Sequence, residues 1–300
     1  MVGNGARAQA GCRSMGSRRE IDVGGLAARV AALPGIPELR AAAEAAGVRA
    51  HLVGGSVRDL LLGRDRADLD LVVDGDHMAL ARALGGELRV HDRFGTATVA
   101  TAGGPVDVAR ARAESYAHPG ALPRVRPSGL EADLARRDFT VNAMAVALAR
   151  PGELLDPLGG LEDLRCGTLR VLHEGSFADD PTRALRAARY ATRLDLDPDP
   201  ATLAGIRGAD LATVSADRVE AELRRLAREE RPRQGFELLS NWGLIELAPG
   251  AGELIEGVAA LLATPLPPGL RTLNIGGEVL TRALCDRVYA NPGVRRIVNV

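Results

Sequence analysis

From Gly24 to Gly47 the chain is Ala- and Leu-rich and is broken by Pro34 and Pro37, which predicts short helices on either side of the break. His51 to Val53 is a short apolar run ahead of Gly54-Gly55, so a strand entering a glycine turn, and a helix starts over Val57 to Leu62. Leu69 to Val73 reads as a buried strand and Met78 to Leu84 as a helix. Thr96 to Ala100 and Val106 to Ala109 read as two strands separated by the turn signal Gly103-Gly104-Pro105. Residues 111–133 hold Pro119, Gly120, Pro123, Pro127 and Gly129, a long loop of the kind that serves function or moves. The apolar run Phe139 to Ala149 predicts a helix. Beyond Pro157 the pattern turns helical throughout, over 180–194, 200–210, 215–230 and 233–248. The expectation is an α+β head followed by an all-helical part, with the seam near residue 170 and no internal repeat.

Composition narrows the class. The 300 residues are 46% apolar and 26% charged, which excludes a mainly disordered chain and a fibrous one. No uninterrupted apolar stretch is long enough to span a membrane. Net charge is −1, so overall charge does not announce a nucleic-acid binder. Lysine is absent and all 38 basic residues are Arg, in keeping with the Ala-, Gly- and Pro-rich usage of a GC-rich genome. Every basic phosphate contact must therefore come from a guanidinium fork. Cys12, Cys166 and Cys285 are too few and too far apart for a disulfide framework or a zinc site, which suits a reducing cytoplasm. Residues 1–22 are basic and lack an apolar core, so they read as a disordered arm and not a secretory signal.

Three clusters can do chemistry. In Asp68-Leu69-Asp70 the two acids share one face of a strand, as hard oxygen ligands of a two-metal site must. Alone, this spacing also fits an exposed strand edge. Gly54-Gly55-Ser56-Val57-Arg58-Asp59 just before it lets backbone approach an anion at a helix start. Asp107 lies between two valines on a strand that reads as buried, where an acid is costly unless paired or liganded. It can join Asp68 and Asp70 as a third carboxylate and deprotonate an attacking hydroxyl. His51, His77, His91, His118 and His173 are scattered without ligand spacing, and Phe236 and Trp242 read as core.

Together these segments resemble the class II tRNA nucleotidyltransferases, the CCA-adding enzymes, and the bacterial poly(A) polymerases. The glycine turn with Asp68-Leu69-Asp70 resembles their first motif, and Phe94-Gly95-Thr96 a segment that follows it. Arg136-Arg137-Asp138-Phe139-Thr140-Val141-Asn142-Ala143 resembles the second motif. Asp156-Pro157 with Gly159-Gly160 and Asp163-Leu164 resembles the third. Asp179-Asp180-Pro181-Thr182-Arg183, running on to Arg186 and Arg189, resembles the fourth, with Asp179 in place of the usual Glu. Ser215 to Leu226, with Arg218, Glu222 and Leu223, resembles the fifth.

The resemblance implies a polymerase-β-like nucleotidyltransferase head over 23–172 and a helical neck over 173–248. Residues 249–300 match no family pattern and are unassigned, whether a truncated product, a minimal form or a diverged tail. It implies Mg²⁺ as cofactor, with Asp68 and Asp70 as metal ligands and Asp68, Asp70 and Asp107 as the catalytic acids. Gly54, Gly55 and Arg58 would lie along a triphosphate, with Arg137 from the second motif beside the nucleotide. Asp138 and Asn142 would read the ribose, Asp180 and Arg183 would pair with the incoming base, and Arg186 and Arg189 would bind phosphates. The implied reaction adds CMP and AMP, from CTP and ATP, to a tRNA 3′ end without a nucleic-acid template. An enzyme adding only A or only CC, a poly(A) polymerase and a non-catalytic RNA-binding protein are the alternatives.

Overall fold

The computed structural model describes residues 18–64, 69–91, 95–247, 272–274 and 296–298. Asp68, Phe94 and most of the unassigned stretch 249–300 lie outside these residues.

The head is a seven-stranded mixed sheet with four helices packed on one face and the helix over Leu130–Ala135 against part of the other. Its strands are β1 (Arg49–Val53), β2 (Leu69–Asp74), β3 (Glu87–His91), β4 (Thr96–Thr101), β5 (Gly104–Arg110), β8 (Ala145–Ala147) and β9 (Leu154–Leu155). The strand order is β3-β4-β5-β2-β1-β8-β9, with β2 and β5 parallel and every other pair antiparallel. Leu69, Leu71 and Val73 on β2 and Val106 and Val108 on β5 turn to the covered face. There they meet a core built with α1 (Leu26–Ala32), α2 (Ile36–Ala45), α3 (Gly55–Leu61) and α4 (His77–Ala83). Local chemistry sets these helix starts. Asp76 accepts hydrogen bonds from the Met78 and Ala79 amides at 2.9 and 3.3 Å and caps α4. Gly35 at φ 83° turns the chain after Pro34, and Pro37 sits in the first turn of α2.

Two expectations change. Phe139 to Ala149 is not a helix: a 3₁₀ turn over Thr140–Asn142 is followed by β8, which pairs with β1 in the interior of the sheet. Residues 139–146 are buried throughout, so the run has no polar face from which to read its period. The stretch 111–133 is not an open loop. It forms a hairpin of β6 (Arg112–Ser115) and β7 (Arg124–Pro127), then enters α5 (Leu130–Ala135). β3 was not anticipated.

After α6 (Gly160–Arg165) and β10 (Thr168–Leu169) the chain is helical: α7 (Ser176–Asp179), α8 (Thr182–Leu194), α9 (Pro200–Arg207), α10 (Ala216–Ala227) and α11 (Pro232–Asn241). Phe236 and Trp242 are buried, as expected of core residues. The seam is stitched across. β10 pairs with β11 (Asp197–Pro198), and Arg19 donates to the Leu194 and Asp195 carbonyls at the end of α8. The arm expected over 1–22 is therefore anchored at its last residues, where Ile21 is buried. In the tail, β12 (Thr272–Asn274) pairs in parallel with β13 (Arg296–Val298).

Candidate active site

Where β1 runs into α3, Gly54 takes φ 63°, a conformation side-chain-bearing residues avoid. A Cβ there would also lie 2.5 Å from an Arg137 guanidinium nitrogen. Gly54 thus serves both the turn and the seating of Arg137. Ser56, fully buried, accepts the Asp70 amide through Oγ at 2.9 Å and ties this turn to the strand of acids.

Asp70 and Asp107 are register partners on adjacent parallel strands, and Asp107 is in turn paired with Thr98 on β4. The row Thr98–Asp107–Asp70 lies on the sheet's open face, opposite α1–α4 and beyond the part that α5 covers. Asp107 is exposed there, unlike the buried acid expected, because β5 buries only its valine face. Among the described residues no group of three acid, His or Cys side chains stands ready to hold a metal. Two neighbouring carboxylates on one rigid face nonetheless offer the hard oxygen donors a divalent cation takes, and Asp68 precedes β2 in the chain.

A cleft of about 500 Å³ opens beside Asp70, between the head and α8. Its floor is a polar network. Arg58, 3% exposed, donates to both Asp59 carboxylate oxygens at 2.9 and 3.1 Å and to Asn142 Oδ1. Asn142 Nδ2 and the Phe139 amide donate to Asp138 Oδ1, each at 2.9 Å, while Arg186 donates to Oδ2 at 3.1 and 2.6 Å. Burial alone would raise the Asp138 pKa. The Arg186 charge and the Asn142 hydrogen bond reverse this and hold the carboxyl well below the usual range. Both Asp138 oxygens are thus engaged by the protein itself.

At the other end, Asp180 Oδ1 accepts from the Thr182 amide at 3.0 Å, the Thr182 hydroxyl at 2.6 Å and Arg218 at 2.9 Å. Arg183 is buried and donates to Ser176 Oγ at 2.6 Å and the Arg136 carbonyl at 2.8 Å. Its Nε–H has no hydrogen-bond partner among the described residues. The hairpin closes this side. Gly120 donates to the Ala178 carbonyl at 3.0 Å and accepts from Arg218 at 2.8 Å, and a Cβ at Gly120 would collide with Thr213. Tyr116 donates to Glu114 at 2.9 Å, and burial together with the Glu114 charge pushes its phenol up to about 12.

One cleft therefore gathers Gly54, Gly55, Arg58, Asp70, Arg137, Asp138, Asn142, Asp180, Arg183, Arg186 and Arg189. Asp107 stands in a second hollow of about 300 Å³ that shares Asp70, Arg136 and Arg137 with the first. Arg189 faces Glu222 and Glu229 and stacks over the Tyr190 ring at 4.6 Å. Sequence reasoning missed Glu114 and Tyr116, whose only signal was the suspicion of a functional segment, and Ser176, which carried none. Arg218 was visible as part of the fifth motif, without a role.

Residues 50–170 match the family described as the poly(A) polymerase head domain. Over 204 residues the chain is 46% identical to an A-adding tRNA nucleotidyltransferase of Halalkalibacterium halodurans, covering 63% of this chain and 48% of that protein. Over 227 residues it is 44% identical to a CC-adding tRNA nucleotidyltransferase of Deinococcus radiodurans, covering 73% and 60%. The solved Thermotoga maritima CCA-adding enzyme in complex with tRNA superposes with a TM-score of 0.66 at 30% identity, over 79% of this chain and 60% of that one. The chain thus spans about half the length of the curated relatives it matches. With the glycine turn, Asp70 and the fourth-motif helix brought to one cleft, residues 50–170 match the poly(A) polymerase head domain and the chain is similar to the tRNA nucleotidyltransferases.

Proposed function

We propose that this chain is a Mg²⁺-dependent nucleotidyltransferase that adds CMP and AMP, from CTP and ATP, to the 3′ end of tRNA in the cytoplasm. The observation that carries the reading is the single cleft in which a phosphate-type glycine turn, a metal-type acid and an acid–guanidinium pair meet. Divalent cations suit Asp70, Asp107 and the neighbouring Asp68, and when bound supply charge stabilisation at the phosphoryl oxygens.

The nucleotide lies in the larger cleft, its triphosphate along Gly54-Gly55 and the arginines of α8, its base toward Asp180 and Arg183. The RNA 3′ end enters the smaller hollow, where Asp107 accepts the proton of the terminal hydroxyl as its oxygen attacks the α-phosphate and pyrophosphate leaves. Asp138 and Asn142 keep Arg58 and Arg186 aimed, and contact the ribose by exchanging one of these bonds. Asp180 accepts and Arg183 donates, which matches the amino group and neighbouring ring nitrogen that cytosine and adenine both offer. Uracil and guanine turn a carbonyl toward the carboxylate instead.

The test offers the pure protein tRNA transcripts ending before CCA, after C and after CC, with each labelled NTP in turn. Both C and A are incorporated in order, and Asp70→Ala abolishes incorporation while the circular-dichroism spectrum stays unchanged. Incorporation of A alone or of C alone assigns the narrower activity that the two relatives' names describe, and full turnover by Asp70→Ala removes the metal reading.

A further inference from the structure

We propose that Thr98 is a positioning residue for the transfer step: its hydroxyl holds the Asp107 carboxylate in the orientation that receives the substrate proton. The inference rests on the reading of Asp107 as the third acid and extends it to a residue outside every motif discussed above.

Strand β4 reads Thr96-Ala97-Thr98-Val99, with Ala97 and Val99 buried in the core and Thr96 and Thr98 lining the smaller hollow on the open face. The fold asks nothing polar of position 98, since any strand-forming side chain satisfies that face. Thr98 is nevertheless the direct cross-strand partner of Asp107, which is the direct partner of Asp70, so the three side chains stand in one row across β4, β5 and β2. The Thr98 hydroxyl donates to Asp107 Oδ1 at 2.6 Å, the short length of a charge-assisted bond. Asp107 Oδ2 has no hydrogen-bond partner among the described residues.

An exposed aspartate alone rotates freely about its last side-chain bond. A donor fixed to Oδ1 by a β-branched, rotamer-limited neighbour removes that freedom and reserves Oδ2 for the attacking hydroxyl or a cation. A partner of this kind acts through the group it orients, so its loss slows the chemical step and leaves nucleotide binding alone.

The experiment compares wild type with Thr98→Val, Thr98→Ala, Thr98→Ser and Asp107→Asn in steady-state CMP addition, reading kcat and KM separately. Val keeps the branched shape and removes only the donor. Thr98→Val and Thr98→Ala are expected to lower kcat by about 10–100-fold, the usual cost of losing such a supporting hydrogen bond. KM for CTP is expected to stay within about twofold, because the loss falls on the transition state. Thr98→Ser restores most of kcat, and Asp107→Asn falls at least as far as Thr98→Val. Wild-type kcat in Thr98→Val and Thr98→Ala, with Asp107→Asn inactive, overturns the role of Thr98 and leaves Asp107 in place. Loss in Thr98→Val that Ser does not rescue, or that appears equally in KM, also overturns it. A fully active Asp107→Asn overturns the underlying reading of the third acid.

Discussion

Asp138 shows how a motif residue can be picked out in the sequence while its partners cannot. Its place beside Arg137 and four residues before Asn142 marked it as functional, but the sequence could not say that both oxygens would be taken by Phe139, Asn142 and Arg186. Arg186 comes from α8, on the far side of the cleft, and that pairing depends on tertiary placement alone. Asp107 differs in the opposite way, since valine neighbours signalled burial while alternation along β5 put the acid on the open face. The Asp138–Arg186 pair yields a stability prediction. Arg186→Met leaves the 4% exposed Asp138 without its cation and is expected to cost roughly 3 kcal/mol, at the low end for a broken buried pair because Arg186 itself is partly exposed. Urea unfolding measures it as a lower midpoint at unchanged slope, and adding Asp138→Asn recovers part of the loss. No recovery in the double variant would mean that Arg186 stabilises by packing.

At the scale of elements, strands with one polar face were readable and elements without such contrast were not. β2, β4 and β5 alternate or adjoin glycine turns, whereas β8 is apolar on both sides because both sheet faces are covered there, Val146 in the main core and Ala145 in the cluster with Leu134 of α5, and it passed for helix. The β6–β7 hairpin is charged and proline-rich, and its order comes from Gly120, Arg218 and Arg136 contacts beyond the reach of local pattern. β1 carries a pH prediction. Burial holds the His51 imidazole below its ordinary value of 6.5, against the Val72 backbone and Asp74, so the folded chain takes up this proton later than the unfolded one. Stability from this site is therefore complete above about pH 6.5 and declines as pH falls below it, where the unfolded state binds more protons. His77 and His173 shift the same way, also by burial first. The melting temperature should fall from about pH 7 to about pH 5, and less steeply in His51→Gln. An unchanged slope in the variant would remove His51 from the account.

For the whole molecule, five motifs in order were enough to anticipate a mixed α+β head followed by helices. What joins them was not readable: Arg19 at the end of α8, β10 with β11, and Arg183 on the Arg136 carbonyl are contacts between distant segments. The described core closes near Trp242 and Leu247, so a 1–250 chain is expected to keep CTP and ATP binding by calorimetry, and loss of binding would show that the tail completes the cleft. Affinity for tRNA should fall steeply with salt, since guanidinium–phosphate contacts release counterions, and a flat salt response would argue against phosphate-led binding. The central claim is that protein side chains in the cleft, and no nucleic-acid template, choose the nucleotide. Its most direct test is kcat/KM for CTP, ATP, UTP and GTP in wild type and Asp180→Ala. The account predicts that wild type prefers CTP and ATP, and that the variant loses on those two while its rejection of UTP and GTP relaxes by about 1–3 kcal/mol, the worth of one good base contact. Equal slowing of all four nucleotides would contradict it.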